Sequence, residues 1–298
     1  MKASILSILL LTLLPYIPIY GQVPDSTYST ASPAIPKKRL STLAWVSTST
    51  YTVSMAGLYH LWYKDSEQQS FRFFNDNREW KQIDKIGHAL SSFYLSYGAS
   101  KALQWTQMPE KKCDLVGASL GFLLLVPIEI FDGFSEAYGA STGDLIADAG
   151  GSLLYLGQKK LWNEPRIFPK FSFHTTRYAS IRPNTLGDSY LSQVLKDYNG
   201  QTYWLSFDID KFIQFPKWLN LAAGYGAEGM VYARDLQNRL QGYRAYRQYY
   251  LSLDFDLKSI KSKSKVVNTL LFFANIIKLP APAFSFSNNG TTFRALYF

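Results

Sequence analysis

Three short clusters set one His, one Lys and five carboxylates into stretches that otherwise read as apolar helix rich in Gly, Ala and Ser. They are Asp84-Lys85-Ile86-Gly87-His88, Glu129-Ile130-Phe131-Asp132-Gly133, and Gly139-Ala140-Ser141-Thr142-Gly143-Asp144 with Asp148 following. An ionised side chain in such surroundings is costly unless it is paired, hydrogen-bonded or bound to an ion. The three segments are therefore expected to meet, which restricts the chain to folds that pack these helices into one unit. The clusters suggest a site without naming a reaction.

Asp84 and His88 are four residues apart and share a helix face. A carboxylate there can orient an imidazole and raise its basicity, as for a general base or a metal-bound His; equally, Asp84 can cap the helix and His88 be an interior residue. Glu129 and Asp132 are three apart and read as the C-terminal end of the apolar helix Leu115–Ile128, where the macrodipole disfavours acids by about 0.3–1 kcal/mol each. They need a counter-charge, from Lys85, protonated His88 or a cation. Ser141 to Asp144 matches a capping box, whereas Asp148, a turn further in, has no such local role. Gly133 and Gly139 fit tight turns joining the clusters.

Around these clusters the chain changes texture at Trp162. Before it, Leu43–Tyr63 carries no charge, Ser66–Lys81 is polar and reads as surface, and helices are expected over Asp84–Gln104, Leu115–Ile128 and Asp144–Lys160. After it, Pro165, Pro169 and Pro183 punctuate an irregular connection, and a short helix fits Asp188–Tyr198. Strand patterns follow over 202–209, 219–226, 246–257 and 292–298, with an amphipathic helix at 266–277. The expected fold is α+β: a small Gly/Ala-rich helical bundle (41–162), able to lie in or against a membrane, then an antiparallel β-rich region (163–298). The aromatic C-terminus resembles the last strand of an outer-membrane barrel, but four to six strands fall short of the eight at which such barrels begin.

The N-terminus reads as a signal peptide over 1–21, with Lys2 before the apolar run Ile5–Leu14, followed by a flexible Pro/Ser/Thr-rich leader over 22–40. The only Cys is Cys113, so there is no disulfide framework and no thiolate zinc site. Residues 22–160 balance at 13 basic and 13 acidic side chains, while residues 161–298 carry 17 basic and 9 acidic. For an exported protein that excess favours a membrane lipid or envelope polyanion as partner over nucleic acid. There is no phosphate-binding Gly loop, nucleophile elbow or His-Glu-x-x-His motif.

The ordered set Asp84-Lys85-(two)-His88, Glu129-(two)-Asp132 and Gly139-(one)-Ser141-(two)-Asp144-(three)-Asp148-(one)-Gly150 resembles the YfiM-type family of bacterial envelope lipoproteins, a domain of unknown function. It is more loosely similar to the VanZ-like family of small membrane proteins. The resemblance covers roughly residues 80–157 and implies an exported location in the bacterial cell envelope, at the outer membrane or the periplasmic side of a membrane. The family's lipid-bearing Cys has no counterpart here, and the C-terminal half looks like an extension found in Bacteroidetes-type envelopes. Two functions follow. One is structural or binding, with the His/Lys/carboxylate network as a buried lock. The other is a membrane-proximal hydrolase or transferase acting on a lipid or glycan intermediate. There His88 would be the general base, Asp84 its orienting group and Lys85 an anion-stabilising group. Glu129, Asp132, Asp144 and Asp148 would hold a hard divalent cation such as Mg, Ca or Mn.

Overall fold

A computed structural model describes residues 36–64 and 66–298. The expected signal peptide (1–21) and the leader as far as residue 35 lie outside the described residues. The fold is α+β, with helices leading and a six-stranded antiparallel sheet following.

The first helix, α1 (Lys37–Trp62), begins inside the expected leader, so Lys37, Lys38 and Arg39 form its first turn. Helix α2 (Ile83–Trp105) is the centre of the helical half and is buried along most of its length. Helices α3 (Glu110–Leu123) and α5 (Thr142–Trp162) pack on it, with α4 (Val126–Phe134) between them in sequence. Small residues set the spacing. A Cβ at Gly117 would come within 2.7 Å of the Ser100 backbone nitrogen, and one at Gly151 would collide with the Ala89 carbonyl. The contact at Gly151 brings the backbone of α5 against α2 beside His88.

The apolar run after residue 115 is not one helix ending in acids. It breaks at Leu124–Leu125, and Pro127 lies in the first turn of α4, where its missing N–H costs nothing and its fixed φ suits a helix start. Glu129 is therefore in a first turn, on the favourable side of the macrodipole. The segment Glu110–Phe134 is the only one among the described residues long and apolar enough to cross a membrane. In the fold it is two helices.

Strands β1 (Ile167–Phe173), β2 (Gln201–Phe207), β3 (Leu219–Glu228), β4 (Tyr246–Phe255), β5 (Ala281–Ser287) and β6 (Gly290–Tyr297) form a meander in chain order. The strand patterns at 202, 219, 246 and 292 locate four of these. β1 and β5 carry no strand pattern in the sequence, since Pro169, Pro280 and Pro282 disguise them. Pro169 is tolerated because β1 is an edge of the meander. Its free side is closed by Phe171 N–H donating to Ile276 O and Lys278 N–H to Phe171 O. Helix α6 (Lys265–Ala274) lies between β4 and β5. One continuous apolar core joins both halves, with Phe93 and Tyr94 of α2 packed beside Phe168 and Phe171 of β1.

Candidate functional site

The clusters converge at the N-terminal end of α2. That end is entered through Trp80, Lys81 and Gln82, three consecutive residues with φ of 45°, 53° and 63°. Left-handed backbone at a residue with a side chain costs about 1–2 kcal/mol, so the turn must be held from outside. Trp80 N–H donates to Ala233 O, and Tyr225 OH on β3 donates to Lys81 O. The β-rich half thus fixes the direction in which Asp84, Lys85 and His88 leave the turn.

His88 is 2% exposed, and its Nδ1 lies 3.0 Å from Asp148 Oδ1. The orienting carboxylate is therefore Asp148, one helix away on α5, and not Asp84, the residue four positions back. The other ring nitrogen, Nε2, faces Glu129 Oε1 and Asp144 Oδ2 at 3.9 Å each. Those separations exceed a hydrogen bond. Asp84 instead lies 3.3 Å from Lys85 Nζ, which also reaches Asp76 Oδ1 at 2.9 Å and Asp144 Oδ1 at 3.0 Å. Asp132 accepts a hydrogen bond from Tyr63 OH at 2.6 Å, which ties α4 to the end of α1.

The capping box is half formed, and the other half is diverted to the site. Ser141 Oγ accepts from Asp144 N–H at 3.1 Å, as a helix cap should. The Asp144 carboxylate turns to Lys85, while Ser141 N–H donates to Glu129 Oε2 at 2.6 Å. Ser141 Oγ also donates to Asp76 Oδ1 at 2.6 Å. Asp76 is 2% exposed and is a sixth carboxylate of the cluster, although it lies in the polar stretch Ser66–Lys81 expected at the surface. Its polar neighbours give no sign of burial. What buries it is the backbone pairing of residues 69–74 with 133–140, such as Phe74 N–H to Ala140 O.

Burial by itself would lower the His88 pKa, but Asp144, Asp148 and Glu129 outweigh it and push it up to about 10. Burial opposes the charge on Lys85 too, and Asp84, Asp144 and Asp76 again prevail, raising its pKa. With no cation bound, both groups are therefore held in the charged form at neutral pH. Among the described residues the cluster sets six carboxylates against these two cations. Two sets of ligand atoms lie within 4.8 Å of one another: His88, Glu129 and Asp144, and Asp76, Asp84 and Asp144. Beside the second set, Asp76 and Asp84 line a cavity of about 320 Å³ that also meets Arg182, Tyr198 and Tyr232.

Residues 72–157 match a family described as "Predicted periplasmic lipoprotein (DUF2279)". The matched span holds every carboxylate of the cluster together with Lys85 and His88. No curated protein and no solved structure matches the chain. The family is one of unknown function, and the match accords with an exported protein of the cell envelope. The chain's one Cys, Cys113, is buried in α3 with its thiol 3.3 Å from Met108 O.

Proposed function

We propose that the helical part of this envelope protein is a binding site for a hard divalent cation, built into a network that also ties its helices together. The observation that carries this reading is the posture of His88. Asp148 holds Nδ1, and Nε2 is aimed between Glu129 and Asp144 at a distance suited to a shared ion. A His oriented by a carboxylate on one nitrogen and presented to a metal on the other is a recurrent second-shell arrangement. An oxygen-rich set with one imidazole suits Mn, Mg or Ca. Of the carboxylates expected to hold a cation, Glu129 and Asp144 are the ligands in this reading, Asp148 orients the imidazole and Asp132 anchors α1. The resemblance of these ordered acidic positions to those of YfiM-type and VanZ-like proteins is in keeping with a site of this kind. Residues 41–162 then form the site-bearing unit and 163–298 the sheet-bearing unit that sets the entry turn.

Titration of the purified full chain with Mn²⁺, followed by loss of the free-ion paramagnetic signal, tests the proposal. One Mn²⁺ per chain should bind, and saturation at 100 times Kd should stabilise the fold by about 2.7 kcal/mol. Glu129→Gln and Asp144→Asn should lose both effects, while Asp132→Asn should keep the binding. No uptake by the parent, and no change in Tm with Mn²⁺, Mg²⁺ or Ca²⁺, overturns the cation and leaves an ionic lock closed by the His88 imidazolium. A second reading, a hydrolase or transferase on a lipid or glycan intermediate, is favoured by the cavity at Asp76 and Asp84. It requires cation-dependent turnover of such a substrate that His88→Gln abolishes.

A further inference from the structure

The sheet is built with its polarity reversed. Across β1 to β6 one register row reads Lys170, Trp204, Gly224, Tyr250, Ser285, Thr292, and the neighbouring row reads Pro169, Leu205, Ala223, Leu251, Phe284, Phe293. Because successive residues point to opposite faces, these rows lie on opposite sides of the sheet. Most of the first face is buried: Lys170, Trp204 and Tyr250 are at most 2% exposed, and the segment after the last helix packs on it through Asn275, which accepts from Lys170 Nζ at 3.0 Å, and Lys278, 4.5 Å over the Trp204 ring. Lys170 on β1 pairs with Asp254 on β4 at 2.7 Å, and Thr202 on β2 meets Tyr297 on β6 at 2.9 Å. Four strand spacings in a flat sheet amount to about 19 Å. The sheet is therefore curled, and its polar and aromatic inner side chains fill their own concavity.

The convex face is the apolar one; near β1 and β2 the helical half covers it at Phe171 and Tyr203, and the rest is open. Leu205, Leu221, Leu251, Leu253, Phe284 and Phe293 are 37–58% exposed there. A water-facing sheet places such residues inside, whereas a sheet bounded by hydrocarbon places them outside. Both ends of this band carry the residues that favour a headgroup region. At one end Trp218 stacks on Phe255, with Lys217 next to it in sequence. At the other, Tyr249 packs on Tyr225, and Arg247 Nε donates to the Tyr225 hydroxyl. The seven residue steps from Trp218 to Tyr225 span about 23 Å as a strand. That is close to the apolar height of about 25 Å in membrane barrels.

The geometry points to the hydrocarbon of a phospholipid bilayer as the occupant of the open part of this convex face, with the Trp218 and Tyr249 ends at headgroup level. The basic side chains at both ends match phosphate-bearing headgroups.

The full chain, reconstituted with phosphatidylethanolamine–phosphatidylglycerol vesicles, provides the test. A nitroxide is placed through Leu251→Cys or Phe284→Cys in a Cys113→Ser background, with Arg244→Cys as the water-facing comparison. In vesicles, labels at 251 and 284 should collide with dissolved oxygen and lose collision with a water-soluble nickel chelate; the label at 244 should stay open to nickel. Nickel access at 251 and 284 in vesicle-bound protein overturns the proposal. So does shielding from both reagents, which signals a protein partner or second copy, and so does failure to associate with vesicles. Should a label disturb the near-ultraviolet dichroism, Leu253→Cys and Phe293→Cys repeat the measurement on the same face.

Discussion

Replacing His88 by Gln tests the electrostatic core of the site through a slope. The imidazole has an ordinary value of 6.5 and is held at about 10 in the fold. A group whose pKa is raised by folding stabilises the native state fully below its unfolded value and loses that contribution as pH rises through the folded one. At about 1.36 kcal/mol per pH unit, the protonated ring contributes on the order of 5 kcal/mol, of which about 2 kcal/mol should vanish between pH 8 and pH 10. Full burial of the ring means that solvent screening takes little from this figure. Urea unfolding of the parent and of His88→Gln at half-unit pH steps reads it directly. Groups remote from His88 that titrate in the window are shared by both proteins and cancel in the difference. The parent should lose about 2 kcal/mol more than the variant over that window, and a saturating divalent cation should flatten the parent's slope because the cation takes the neutral ring. Parallel curves for parent and variant would show that the ring is not charged in the fold, and the argument from the surrounding acids would fail.

Two further perturbations probe the frame. The adjacent glycines Gly150 and Gly151 should respond with opposite sign. Gly151→Ala drives a methyl into the Ala89 carbonyl and should cost about 1–3 kcal/mol, whereas Gly150→Ala meets nothing within 4 Å and should gain about 0.5–1 kcal/mol from helix propensity. Thermal melts of both variants check this. In the sheet, Asp254→Asn strips the counter-charge from Lys170, which is 1% exposed, and should cost about 3–5 kcal/mol in denaturant unfolding. The double variant Lys170→Met/Asp254→Leu should recover most of that loss, since removing both charges removes the uncompensated one.

What the sequence determined by itself was the demand for a meeting point. Carboxylates, a Lys and a His at helical spacing in apolar Gly/Ala/Ser-rich segments require partners wherever the fold places them, and helix periodicity alone put Asp84 with His88 and Asp144 with Asp148 on common faces. The alternation over 246–257 likewise marked β4, because a half-buried strand writes its period into one line of residues. What the tertiary structure alone decided was who partners whom. Asp148 takes His88 because Gly151 lets α5 touch α2 beside it, and Glu129 takes the Ser141 N–H because Pro127 starts a new helix instead of ending an old one. Asp76 joins because backbone pairing folds a polar stretch inward, which no side-chain pattern signals. The direction of the sheet was equally beyond a linear reading. Alternation shows that a strand has two faces, and only the curl from β1 to β6 shows that the polar one is inside. Sequence fixes chemistry and period locally, whereas the choice of partner depends on the closest approach of backbones distant along the chain.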